Sequence, residues 1–329
     1  MSIGIILHHF FGQGHPCIQG AMTADDLKKF IEAIGPDNIL NPVEWIAARE
    51  TETLGENQVC LTFDDALRSQ IDIAAPVLDD FGIRAFFFVY SSILEGKIEE
   101  FEVYRYFKNL YYDHVHDFYP DFYDAVEQVM QRTDIEALIK SEAASSWLSQ
   151  YSFYTLEDRQ FRFIRDKILS KQEYDGAMTA VIAQKGASVE RLARGIWMND
   201  DDVRNLIRDG HVIGLHSHTH PTNMDRLERA TQQDEYDRNL AHLTDLLGHK
   251  PDTMAHPSGS YTQETLEILR ERGIRIGFRS DEDVGGGTLL ELPRLDYKLT
   301  LHWQQIDAAR EQNERERAPC SSQNFAPSS

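Results

Sequence analysis

Cysteine is scarce in this 329-residue chain, which has three: Cys17, Cys60 and Cys320. An odd and small number excludes a disulfide framework, so the fold must be held by its core. No apolar run is long enough to span a bilayer. The opening Met1-Ser2-Ile3-Gly4 lacks the basic segment, apolar stretch and cleavage site of a secretory leader, and a cytoplasmic protein is the simplest expectation. Positive charge is also short: 33 Lys and Arg stand against 54 Asp and Glu, a net charge of -21. Such a surface repels nucleic acid polymers and anionic lipid and serves mainly solubility. With 41% hydrophobic residues the chain can bury a large α/β core.

What is present is an alternation of strands and helices in two flanking stretches. Residues 3–7 read as a buried strand ending at His8-His9. Residues 23–34 read as a helix capped by Thr23, with Asp25 and Asp26 in its first turn and a stripe of Leu27, Phe30, Ile31 and Ile34. Strands follow at 59–63 and 85–90, separated by a helix over 73–81 that Pro76 opens or interrupts. The near-continuous apolar run 85–90 suits a strand covered on both faces. Further on, the expected elements are a helix at 200–208, a strand at 212–215, a helix at 228–247 stopped by Gly248 and a strand at 253–255. A helix at 262–272 and strands at 274–278 and 289–295 complete the series. This order predicts a mainly parallel sheet or barrel.

Between the two stretches, residues 96–195 show no further strand. They carry helical periodicity in Phe101, Tyr104, Phe107 and Tyr111, and helices are expected over 121–132, 134–142 and 156–169. The expected organisation is a discontinuous α/β domain, 1–95 with 196–309, interrupted by a helical insertion at 96–195. A polar tail at 310–329 is expected to be disordered. The aromatics of the insertion are read as core packing rather than as a carbohydrate-stacking surface.

The chemistry gathers where these strands end, as is usual in parallel α/β architectures. Asp64-Asp65 follows the strand at 59–63, and His216-Ser217-His218-Thr219-His220 follows the strand at 212–215. His8-His9 and His256 follow two others. A carboxylate with two imidazoles holds a divalent ion and leaves positions for water and substrate. On an extended backbone the adjacent carboxylates diverge, one toward an ion and one toward water. His216 and His220 would be about 13 Å apart if the segment were extended, so it must turn, helped by Ser217 or Thr219. His218 is then expected to point elsewhere and pack.

Thr62-Phe63-Asp64-Asp65, His216-Ser217-x-x-His220 and Pro257-x-Gly259-Ser260-Tyr261 resemble motifs of the polysaccharide deacetylase family, carbohydrate esterases with a NodB-like domain. Ile6-Leu7-His8-His9 is similar to its opening strand, and Leu292-Pro293-Arg294-Leu295-Asp296 to a late segment in one branch. The likeness covers residues 1–95 and 195–305. It implies a distorted (β/α) barrel of about seven parallel strands. It also implies Asp65, His216 and His220 as ligands of one divalent ion, usually zinc, and Asp64 as general base. The N–H after Asp65 is the implied oxyanion donor.

The resemblance implies removal of an N-acetyl or N-formyl group from an amino sugar. An intracellular polysaccharide precursor, nucleotide- or lipid-linked, is the expected substrate, and self-association is open. Two features depart from the family. Its third motif has an arginine where this chain has His256 and an aromatic where it has Ser258, and Arg294 is the expected substitute for that arginine. Its final histidine motif has no clean match. His9 and His256 are therefore the candidates for general acid, ahead of His302. An amidase or cyclic-imide hydrolase on the same barrel, or an inactive carbohydrate-binding relative, are the alternatives.

Overall fold

A computed structural model describes residues 3–297, apart from 19, 56, 150–153 and 281–286. The expected tail, His302 and Cys320 lie outside the described residues. Seven strands form a single sheet in which every ladder is parallel: β1 Ile3–Leu7, β2 Val59–Phe63, β3 Phe86–Val89, β4 Val212–Leu215, β5 Thr253–Ala255, β6 Ile276–Phe278 and β7 Arg294–Asp296. Their order is β6-β5-β4-β3-β2-β1-β7. A parallel bridge between Phe278 and Leu292, just ahead of β7, brings the two edges together. The result is a nearly closed, distorted (β/α) barrel. The last strand is shorter than its apolar run suggested, because residues 288–291 turn before β7 begins.

Thirteen α-helices accompany the strands among the described residues. Helices α1 Ala24–Ile34, α2 Pro42–Glu50 and α3 Ala75–Asp80 belong to the first stretch. Between β3 and β4 lie α4 Glu100–Tyr111, α5 Phe118–Val126, α6 Arg132–Ile139, α7 Glu142–Ser146, α8 Leu156–Phe163, α9 Lys171–Gln184, α10 Val189–Ala193 and α11 Asp200–Arg208. Helices α12 Arg229–Leu247 and α13 Gln263–Glu271 complete the set. Thr23 caps α1 in a capping box with Asp26, and Gly248 ends α12 in the left-handed conformation. Pro76 falls in the first turn of α3, where its missing N–H costs nothing, and a π-helical turn at Gln70–Ala74 precedes it. The expected helices at 121–132 and 134–142 are displaced: α5 begins at Phe118 and α6 at Arg132. Residues 156–169 form α8 followed by a π-helical turn.

Alternation along the strands divides the core in two. Ile5, Leu7, Leu61, Phe63, Phe87, Val89, Ile213 and Leu215 face outward into the cluster they share with the surrounding helices. Cys60, Phe86, Phe88, Ala255, Ile276 and Phe278 fill the barrel. Trp45 of α2, fully buried, packs with its ring 5.4 Å from that of Phe278 and edge-on 6.3 Å from that of Phe86, so α2 plugs the end of the barrel where the strands begin. The opposite end is left for the strand-terminal residues. Tyr104, Phe107, Phe118, Tyr119, Phe122 and Phe161 form a separate buried cluster among the helices that follow β3. That is the core packing expected of these aromatics.

Candidate metal centre

Asp65, His216 and His220 come together at the open end of the barrel, with ligand atoms all within 4.8 Å of one another. Asp65 Oδ1 lies 3.5 Å from His216 Nε2 and 3.4 Å from His220 Nε2. An ion bound tetrahedrally at about 2.0–2.1 Å places its ligands about 3.3–3.4 Å apart, so this spacing fits one shared ion. Asp65 Oδ1 is buried and accepts no hydrogen bond, a cost that a bound cation would remove. His216 Nδ1 donates to the Ala255 carbonyl at 2.9 Å, which fixes its tautomer and turns Nε2 toward the other two. Burial pushes His220 down to about 4, against the pull of Asp65, keeping the ring neutral and able to ligate. His216 is opposed by burial yet raised by Asp64 and Asp65. The residues present therefore fit a divalent ion.

The local backbone explains how residues from two loops converge. Asp65 and Ala66 adopt φ of 74° and 51°, the left-handed region that non-glycine residues avoid. The turn swings Asp65 back toward the barrel axis, so the two carboxylates meet the same imidazole instead of diverging as an extended backbone would require. Asp64 Oδ2 is 3.9 Å from His216 Nε2. Ser217 and His220 also have positive φ, at 65° and 56°, and Ser217 Oγ accepts from the His220 N–H at 3.1 Å. This is the serine-assisted turn expected from the spacing. Backbone strain of this kind, on the order of 1–3 kcal/mol per residue, persists where the surroundings impose it.

Those surroundings come from α12. Glu235, buried, accepts from the N–H groups of His218 and Thr219 at 2.9 and 2.7 Å and from Thr219 Oγ1 at 2.6 Å. Asn239 accepts from the His216 N–H at 3.0 Å and donates to the Val89 carbonyl at 3.0 Å, tying β4 to β3. Neither residue carried a signal in the sequence, because both act across many intervening positions. His218 is fully buried and turns away from the ligands to Ser91 Oγ at 3.0 Å.

Asp64 is held by Arg294 through two bonds, Nη1 to Oδ1 at 2.7 Å and Nη2 to Oδ2 at 2.8 Å. Both side chains are buried. Burial would push the Asp64 carboxyl up, but the Arg294 charge and hydrogen bonds prevail and hold it below the ordinary range. Arg294 also donates to Thr62 Oγ1 at 3.2 Å and to the Arg279 carbonyl at 3.1 Å. The guanidinium at 294 thus reaches the carboxylate that His256 does not.

A model of the polysaccharide deacetylase family matches residues 167–277. That stretch, which carries His216 and His220, is what the chain has in common with the polysaccharide deacetylase family. Three solved structures share its fold: the Streptococcus pyogenes deacetylase PplD (TM-score 0.52, 13% identity, 91% of this chain and 96% of that one), IcaB from Ammonifex degensii (0.53, 15%, 92% and 97%) and a de-N-acetylase from Aggregatibacter actinomycetemcomitans (0.54, 14%, 92% and 99%). YlxY, a protein of Bacillus subtilis (strain 168), is 26% identical over 102 residues, 30% of this chain and 32% of that protein. The match thus spans about a third of the length of that relative.

The two acid candidates sit differently from this centre. His9 Nε2 is 2.8 Å from Glu102 Oε1 on α4 and 3.1 Å from Arg105 Nη1, and so faces the helices rather than Asp64. His256 is fully buried, 2.8 Å from the Leu290 carbonyl through Nε2, and stacks on Tyr261 at 4.2 Å between ring centroids. Burial pushes it to about 4, so it is a neutral packing group. His8, named at the end of the first strand but not among the acid candidates, lies 3.9 Å from Asp64 Oδ2 through Nε2, with its side chain 34% exposed. It shares the phase of Gly4 and Ile6, which face the barrel interior, whereas His9 shares the outward phase of Ile5 and Leu7. Burial lowers the His8 pKa, with Asp65 and Asp64 pulling the other way. Gln70 Nε2 donates to the carbonyls of both His8 and Asp64, at 3.0 and 2.6 Å, and locks the two strand ends together.

Proposed function

We propose that this chain is a metal-dependent hydrolase that removes an N-acetyl or N-formyl group from an amino sugar. The observation that carries the reading is the meeting of Asp65, His216 and His220 around an unpartnered, buried carboxylate oxygen, with a second carboxylate alongside. Asp65, His216 and His220 would hold one divalent ion, read here as zinc, whose bound chemistry is to polarise a carbonyl and acidify water.

The protein's own groups then have distinct tasks. Asp64, kept ionised and oriented by Arg294, takes a proton from the attacking water as its oxygen joins the acyl carbon. The N–H of Ala66, next to Asp65, would donate to the developing oxyanion. His8, on the open side of Asp64, passes to the amine nitrogen the proton that Asp64 took from the water as the carbon–nitrogen bond breaks, releasing carboxylic acid and free amine. With 3.9 Å between Asp64 Oδ2 and His8 Nε2, proton gain and proton loss occur at neighbouring groups. Arg294 supports an active site rather than an inactive carbohydrate-binding relative, because it supplies the base's partner from a different strand.

The substrate is read as an N-acylated precursor sugar on a nucleotide or lipid carrier in the cytoplasm. No helix among the described residues is long and apolar enough to cross a membrane. The test is amine release from acetylated and formylated amino sugars, free and carrier-linked, with simple cyclic imides in parallel. Release from a sugar that stops in Asp64→Asn supports the reading. Release from the imides alone moves the assignment to a cyclic-imide hydrolase, and no release from any compound returns it to a binding protein.

A further inference from the structure

In a chain of net charge -21, the face of α4 that leads away from His9 is lined with cations. Arg105, one turn before Lys108 on α4, donates to Glu102 at 2.8 Å and lies 3.1 Å from His9, which follows His8 in sequence. Opposite, α8 and the turn after it contribute Arg162 and Arg165. The guanidiniums of Arg105 and Arg165 share the ring of Phe101, at 5.2 and 5.0 Å from its centroid. Arg165 and Lys108 share the ring of Phe161, at 5.7 and 4.7 Å. Like charges gathered on shared rings repel, and the ring faces offset only part of that repulsion.

Arg105 is paired with Glu102, and Arg165 with Asp166 at 2.5 Å. Lys108 has no carboxylate within ion-pair distance among the described residues. We propose that Arg105, Lys108 and Arg165 form an anion subsite for the phosphate or diphosphate of the carrier that bears the acylated sugar. The proposal rests on the hydrolase reading above. Guanidiniums and an ammonium on aromatic faces match the oxygens of such a group, and Arg105, through His9, joins the cluster to the end of β1 that carries His8. The present cost of the arrangement is visible at Lys108, which burial first, then Arg165, Arg162 and Arg105, push down to about 7. A bound dianion would relieve that cost.

The test is calorimetric titration of inorganic pyrophosphate into the full chain at physiological ionic strength. The His220→Ala chain controls for capture of the probe by the metal centre. Saturable binding is expected in both, weakened at least about tenfold in Lys108→Met and restored in Lys108→Arg. Lys108→Met should melt no lower than the native chain, since it removes a partly buried charge with no counter-ion. Should it fail to fold, Arg165→Gln is the second variant, with weaker binding expected again. Uridine diphosphate and farnesyl diphosphate identify the carrier: tighter binding of one over pyrophosphate indicates a nucleotide or a lipid, and equal binding indicates recognition of the diphosphate alone. Native-like affinity in a folded Lys108→Met or Arg165→Gln chain, no saturable binding in the native chain, or binding lost in His220→Ala would overturn the proposal. Pyrophosphate binding without turnover of any substrate counts against the hydrolase reading only, and turnover without pyrophosphate binding against the subsite only.

Discussion

Arg294 reaches Asp64 through space that Gly4 leaves open. A methyl group at position 4 would stand 2.9 Å from Arg294 Cγ and 3.2 Å from Phe278 Cε1, inside the barrel. Gly4→Ala is therefore expected to destabilise by about 1–3 kcal/mol and to reduce turnover while leaving metal content intact. Unfolding in urea and a metal assay on the same sample check both parts. Arg294→Met should cost more, about 3–5 kcal/mol, because it leaves the buried Asp64 charge unpaired. Adding Asp64→Asn to Arg294→Met should recover part of that loss, and a double-mutant cycle without coupling would contradict the pairing. The same scale shows what could be read beforehand. Asp64, Asp65, His216 and His220 were legible because each follows an apolar run and the set suits an ion. His8 was not distinguished from His9 because β1 is covered on both faces, and its continuous apolar run hides which phase faces inward. Arg294 was legible as a partner for Asp64, but the glycine that admits it was not.

At the level of elements, β2 and β4 deliver the candidate ligands while α12 shapes the loop that presents two of them. Glu235 satisfies three donors of that loop with two carboxylate oxygens. Glu235→Gln replaces one acceptor with a donor and should loosen His220. An affinity for the divalent ion about 10–100-fold weaker is expected, measurable by competition with a chromophoric chelator. Ion affinity equal to native would show that the loop holds its shape without Glu235. Helix α12 itself was readable from its periodicity and Gly248 stop. Its role was not, since Glu235 meets Thr219 only after the chain has turned back on itself. Helix α2 was missed, although Asn41 caps it and Pro42 opens it, and it delivers the Trp45 plug. Truncating that plug with Trp45→Ala should cost about 3–5 kcal/mol in urea unfolding. A smaller loss would mean that the barrel end closes without it.

For the whole molecule, buried neutral histidines set the response to acid. Burial pushes His211 and His256 to about 4, well below the ordinary 6.5. Each binds a proton more readily when unfolded. Their contribution is therefore full above about pH 6.5 and is lost as pH falls toward 4. In that window each adds up to about 1.4 kcal/mol per pH unit to the slope of stability. Asp64, lowered by Arg294, acts in the same sense further down, its contribution being lost as pH falls below the ordinary carboxylate range. His216, raised by Asp64 and Asp65, opposes them, but only while no cation takes the place of its proton. The urea midpoint should thus drop steeply between pH 6.5 and 4.5, and a flat midpoint would contradict the buried neutral state of these rings.

The central claim is that Asp65, His216 and His220 grip one ion jointly, and the metal content of the purified full chain tests it most directly. About one divalent ion per chain is expected by mass spectrometry of the native protein, with less than about a tenth of that in Asp65→Ala or His220→Ala and full occupancy in Asp64→Asn. Equal metal content in all four proteins, or none in the native chain after exposure to zinc, would contradict it.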